Sequence, residues 1–198
     1  MAANPVTKLT EQQYLEIERA AEFKHEFLDG EMVAISGASL RHAIIGGNIL
    51  GELRSILRGG DCKAINSDLR VRVSASLYSY PDISVVRGKP ALADEHQDVL
   101  LNPTVIFEVL SASTETYDRG LKFQIYRTNE WLREYILVSQ DRVRVEHYVR
   151  RDATTWTYRD YMSTNDELII DSIRASLPLH SIYDGVELEA WSGSTQVQ

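Results

Sequence analysis

Val105-Ile106-Phe107-Glu108-Val109-Leu110 is an apolar run with a single carboxylate inside it. Its length and apolar content fit a central strand covered on both faces. By alternation, Glu108 shares a face with Ile106 and Leu110. A carboxylate buried in such a place is costly unless it is paired or coordinates a cation. Upstream, Tyr80-Pro81-Asp82-Ile83-Ser84-Val85-Val86 sets Asp82 at the entry of a second strand, expected over 83–86. If the two strands are neighbours, both carboxylates converge at one end of the sheet. They would then offer the hard oxygen ligands that Mg²⁺ takes together with water and substrate phosphate. Downstream, Asp118-Arg119-Gly120-Leu121-Lys122 begins a helix expected over 118–127, with Leu121, Ile125 and Tyr126 facing inward. Asp118 and Lys122 stand at i and i+4, one above the other. An ammonium beside a metal orients an attacking water or stabilises charge on a phosphate. Two acids and a lysine around a cation suit phosphodiester hydrolysis.

The remaining sequence fills in an α/β chain. Thr10 and Gln13 form a capping box before a short helix carrying Tyr14, Leu15 and Ile17. Asp29-Gly30 lies between two alternating runs and predicts a hairpin. Ser39 caps a long helix with Ile45, Ile49, Leu53, Ile56 and Leu57 at helical spacing, ended by Gly59-Gly60. Leu69, Val71 and Val73 alternate with Arg70 and Arg72, which predicts a strand whose arginines face solvent. Residues 88–103 are polar and acidic and read as a loop. Further strands are expected over 134–138, 143–149 and 156–161. The pattern is a mixed β-sheet flanked by helices, with an N-terminal helix and hairpin.

The totals bound the function. A length of 198 residues with 43% hydrophobic content fits a single domain, placed over 1–190, followed by a disordered tail over 191–198. No apolar run reaches membrane-spanning length, and the N-terminus has no signal-peptide pattern. The single cysteine, Cys62, forms no internal disulfide and fits a reducing cytoplasm. A net charge of −8 weighs against a nucleic-acid partner, because phosphate contacts supply most of such affinity. A metal-binding nuclease site is itself acidic, however, and net charge does not describe local patches.

Three motifs together resemble a known family. They are Tyr80-Pro81-Asp82-Ile83-Ser84-Val85, Phe107-Glu108-Val109-Leu110-Ser111-Ala112-Ser113-Thr114 and Asp118-Arg119-Gly120-Leu121-Lys122. They are similar to the signature of the Uma-two (Uma2) family of restriction endonucleases, within the PD-(D/E)XK nuclease superfamily. The likeness runs from the Asp29-Gly30 hairpin to Tyr183-Asp184-Gly185. It implies a restriction-endonuclease-like core and a divalent metal, Mg²⁺ or Mn²⁺, held by Asp82 and Glu108. The superfamily lysine follows the glutamate by two positions, but that place is Leu110 here. The resemblance implies that Lys122 has taken over its role. It also implies site roles for Glu26, in the first hairpin, and His42, at the head of the long helix. DNA would be the substrate, and a homodimer would bring two sites to two strands, with the strand around 143–148 offering an exposed edge.

Each residue also has a structural reading. Asp82 after proline fits a turn, Lys122 fits a solvated helix position, and Glu26 fits a hairpin surface. His42 fits an ordinary helix start. For Glu108 the rival is a buried ion pair with an arginine. The alternative function is a catalytically inactive nuclease-like module that binds nucleic acid or protein. A carboxylate-pair glycosidase would need exposed aromatics in a cleft, and Trp131 and Trp156, the only hints, are expected in the core.

Overall fold

The computed structural model describes residues 8–188. Thr10 caps α1 (Glu11–Ala20) through both halves of the capping box. Asp29 and Gly30 take φ of 47° and 91°, and join β1 (His25–Leu28) to β2 (Glu31–Ala34) in a tight hairpin. Ser39 accepts the His42 backbone N–H and caps α2 (Leu40–Ile56). Ile45, Ile49 and Leu53 of α2 are buried, while Ile56 lies exposed.

The chain then lays down β3 (Cys62–Asn66), β4 (Arg70–Ser74), β5 (Leu77–Ser79), β6 (Ile83–Arg87), β7 (Val99–Leu100) and β8 (Val105–Leu110). Next come α3 (Glu115–Tyr117), a π-helical turn (Asp118–Lys122) and α4 (Phe123–Tyr126), which run on without a break. β9 (Glu134–Ser139), β10 (Val145–Arg150) and β11 (Trp156–Tyr161) follow. A β12 (Glu167–Ile170) and β13 (Ala175–Pro178) hairpin and a short α5 (Leu179–Ile182) close the described chain.

The architecture is mixed α/β, as the sequence pattern indicates. A six-stranded sheet has the order β11-β10-β9-β8-β6-β3, with β8 and β9 parallel and the other pairs antiparallel. A five-stranded sheet has the order β2-β1-β5-β4-β7. Side-chain alternation along β8 divides the interior into two parts. Val105, Phe107 and Val109 pack with Ile45, Ile49 and Leu53 of α2. Ile106 and Leu110 pack on the other face with Tyr126, Leu132 and Tyr135. Glu108 belongs to this second face. Tyr80-Pro81-Asp82 is the crossing segment where the chain leaves the five-stranded sheet at β5 and enters the six-stranded one at β6. Asp82 therefore stands at the seam between the two sheets.

Several expectations change. The acidic stretch over 88–103 is not all loop, because Val99 and Leu100 pair with β4 in parallel. Arg70 and Arg72 do not form a solvated face. Arg70 is 5% exposed and pairs with Asp98 at 3.1 Å, and Arg72 pairs with Glu11 at 2.8 Å. The folded-back acidic segment and α1 supply those carboxylates, and only tertiary contacts could reveal them. Leu121 points outward at 48% exposure, because the π turn resets the helical register. Trp131 is 52% exposed rather than in the core, while Trp156 packs against Phe123. The strand around 143–148 is no free edge: β10 lies between β9 and β11, and β11 is the edge. The tail over 191–198 lies outside the described residues.

Candidate active site

The site forms where β1, α2, the entry to β6, β8 and the π turn meet. The register Ile83↔Phe107 makes β6 and β8 antiparallel neighbours, so Asp82 falls beside Glu108 and Val109. The Asp82 Oδ2 atom accepts the Val109 backbone N–H at 2.7 Å, extending the ladder with a side chain. The same oxygen lies 3.3 Å from His42 Nε2, at the head of α2. Tyr80 steadies the approach, since its hydroxyl donates to buried Glu18 at 2.9 Å.

The π turn places Lys122 against Glu108. The Lys122 Nζ atom lies 2.9 Å from Glu108 Oε1, 3.1 Å from Glu26 Oε1 and 3.4 Å from Asp118 Oδ1. Glu108 is 4% exposed and Lys122 6%. Tyr126 donates its hydroxyl to Glu108 Oε1 at 3.2 Å, and Ser79 donates to Glu26 Oε1. The Tyr117 ring sits 5.7 Å from Lys122 Nζ, with its own buried hydroxyl unpartnered among the described residues.

The electrostatics follow from burial and crowding. Burial pushes the Glu108 carboxyl well above its ordinary range. Lys122 opposes that rise, while the charges of Asp118, Asp82 and Glu26 reinforce it. Burial also raises Asp118, against the pull of Lys122. Burial alone would lower Lys122, but Glu108, Glu26, Tyr126 and Asp118 hold it well above its usual value. Burial would likewise lower His42, yet the Asp82 carboxylate, the Val109 backbone and Asp118 raise it overall.

All five residues singled out in the sequence fall into this region. Lys122 touches both Glu108 and Glu26, and His42 touches Asp82. Asp82 and Glu108 share no direct contact among the described residues, and the charge of Asp82 helps raise the Glu108 carboxyl. Glu26 is held inside the cluster rather than on the hairpin surface, with its side chain 12% exposed. No arginine pairs with Glu108 among the described residues; its partner is the lysine. Ser79, Tyr117 and Tyr126 were not foreseen, since no local spacing in the sequence links them to Glu108.

The cluster is rich in oxygen atoms able to act as donors to a cation. Four carboxylates surround one ammonium and one imidazole. Asp82 Oδ1 and Glu108 Oε2 have no protein hydrogen-bond partner among the described residues. No three His, Cys, Asp or Glu side chains converge as a ready cage among those residues.

The chain is similar to several known proteins. The family described as "Putative restriction endonuclease", Uma2, matches residues 11–180. Two uncharacterized proteins of Synechocystis sp. are similar along most of their length. One, slr1290, is 37% identical over 92% of this chain and 95% of its own. The other, sll1609, is 36% identical over 81% of this chain and 91% of its own. A crystal structure from Anabaena variabilis, described as "a putative nuclease belonging to DUF820", superposes with a TM-score of 0.72. It covers 88% of this chain and 97% of that one at 16% identity, a likeness of fold.

Proposed function

The chain belongs to the Uma2 family, and on that premise we propose that it is a metal-dependent endonuclease hydrolysing phosphodiester bonds in DNA. The observation that carries this reading is the surplus of carboxylates around Lys122 at the seam of the two sheets. Asp82 and Glu108 would hold Mg²⁺ or Mn²⁺, each through the oxygen that no protein group occupies. When bound, the cation would supply Lewis acidity and lower the pKa of a coordinated water.

The chain's own residues have separable tasks. Lys122, kept charged by its neighbours, presents N–H donors where a phosphate oxygen or an attacking water would lie. Glu26 and Asp118 hold that ammonium from two further sides, which fixes its position. His42, held toward its charged form, orients Asp82 from the α2 side. Tyr126 fixes the Glu108 carboxylate from below.

Supercoiled plasmid incubated with Mg²⁺ or Mn²⁺ provides the test. Nicking or linearisation that disappears in Asp82→Ala and Glu108→Ala is the expected result. Cutting that persists unchanged in both variants, or no cutting of duplex or single-stranded DNA with either metal, refutes it.

One observation favours a second reading. Lys122 already seats itself against Glu108 and Glu26, so the cluster partly neutralises itself without a metal. A catalytically inactive module that binds nucleic acid or protein would use that closed arrangement as a structural brace. DNA binding without cutting, unaffected by Glu108→Ala, identifies it.

A further inference from the structure

A nuclease of net charge −8 needs a cationic surface somewhere, and the carboxylate cluster is not one. Most cationic side chains near carboxylates are spent in ion pairs, among them Arg19, Arg70, Arg72, Arg87, Arg119 and Arg144. Arg127, Arg133, Arg150 and Arg151 differ. Arg127, Arg133 and Arg150 lie together at one end of the six-stranded sheet, Arg151 turns to the opposite face beside Thr157, and none of the four forms a salt bridge among the described residues.

Their placement is well determined. The Arg150 backbone N–H donates to Arg133 O at 2.8 Å, and its Nη2 donates to the Asn129 carbonyl at 2.7 Å and to that of Arg127. The Arg150 guanidinium stacks 4.7 Å from the Trp156 ring centroid, and its buried Nε has no partner among the described residues. Arg127 and Arg151 are tethered to Thr154 and Thr157, and Arg133 is exposed. Burial together with the like charges of Arg133 and Arg127 lowers Arg150, whereas their carboxylate partners raise Arg19, Arg72, Arg119 and Arg144. Two carboxylates lie nearby in sequence. Asp152 is committed to the backbone N–H groups of Thr154 and Thr155, and Glu130 is exposed. Trp131, half-exposed, lies between Arg127 and Arg133 in the chain.

We propose that this surface, Arg127, Arg133 and Arg150 with Trp131, binds the phosphate backbone and a base of a single-stranded nucleic-acid segment. The arginines supply phosphate contacts, and the exposed indole supplies a stacking face. By alternation from Tyr148, Arg150 lies on the same sheet face as Glu108. The pairing Glu108↔Leu137 puts the carboxylate four residues along β9 from Arg133, roughly 13 Å at ordinary strand rise. A strand held here could thus extend toward the cluster. The choice of nucleic acid as ligand rests on the nuclease reading, whereas the patch itself does not.

Fluorescence anisotropy of a labelled single-stranded oligonucleotide with the full chain, in EDTA, isolates binding from cutting. Arg127→Ala/Arg133→Ala should weaken binding and flatten the dependence of log K on log salt by about 1.4, two phosphate contacts' worth on a single strand. Trp131→Ala should weaken it about fivefold or more. Arg127→Lys/Arg133→Lys should restore most of the affinity, which separates charge from misfolding. Wild-type affinity and slope in the double alanine variant overturn the proposal, as does wild-type protein that binds no oligonucleotide at low salt. Polyglutamate that displaces the oligonucleotide equally well at matched charge overturns the nucleic-acid assignment. Loss of binding in the patch variants, in a chain that cuts no DNA with any metal, sinks the nuclease reading and leaves the patch standing. Cutting with unaltered binding in those variants does the opposite.

Discussion

Lys122 is buried, charged and touched by three carboxylates, so its removal and the removal of one carboxylate should have opposite signs. Lys122→Met leaves Glu108, Glu26 and Asp118 repelling one another in a poorly hydrated site. A loss of about 3 kcal/mol or more is expected, read by urea unfolding. Glu108→Gln removes a carboxylate that burial and its neighbours already disfavour. Its unfolding midpoint should stay level or rise while cutting is lost, the mark of a group kept for function at the expense of stability. At His42 the sign runs with pH. Its folded value is raised above the 6.5 of the free side chain. The resulting stabilisation is therefore full below about 6.5 and is lost as pH rises through the folded value. Urea midpoints measured across that interval should fall with pH in the wild type and flatten in both His42→Ala and Asp82→Asn.

Elements determine whether those residues meet. Ser39 satisfies an α2 N-terminal N–H and so fixes the helix that carries His42. Ser39→Ala should cost about 1 kcal/mol in thermal or urea unfolding. Much of this level was legible in the sequence. The capping box, the Asp29-Gly30 turn, the Ser39 cap and the apolar β8 run all declare themselves by local chemistry. Glu108 was legible for the same reason, as a carboxylate where only apolar side chains belong. Other elements were not. Cys62-Lys63-Ala64-Ile65-Asn66 lacks clear alternation, and Val99-Leu100 is a two-residue strand inside an acidic stretch. Both become strands only through their partners, β6 and β4. The π turn is equally silent, because an extra residue in a helix leaves the composition unchanged, yet it decides that Lys122 faces in and Leu121 out. Glu26 and His42 came from the family resemblance rather than from any pattern in the residues. Sheet pairing explains why: Glu26 reaches the site through β1 beside β5, a neighbour some fifty residues away.

At the scale of the whole molecule, charge is unevenly distributed. Acid gathers at the seam of the two sheets, and arginines without a salt bridge among the described residues gather at one end of the larger sheet. No helix among the described residues is long and apolar enough to cross a membrane. A cation that binds the folded chain and not the unfolded one stabilises it by mass action. At a free Mn²⁺ concentration of one hundred times Kd, the gain is about 2.7 kcal/mol, and EDTA removes it. The rise in unfolding midpoint should be absent from Asp82→Asn and Glu108→Gln. The most direct measurement of the central claim is an anomalous difference map from a crystal soaked in Mn²⁺. A peak bonded to oxygens of both Asp82 and Glu108, at about 2.2 Å, is predicted. A map with no peak there, and Lys122 still seated on Glu108, would contradict it.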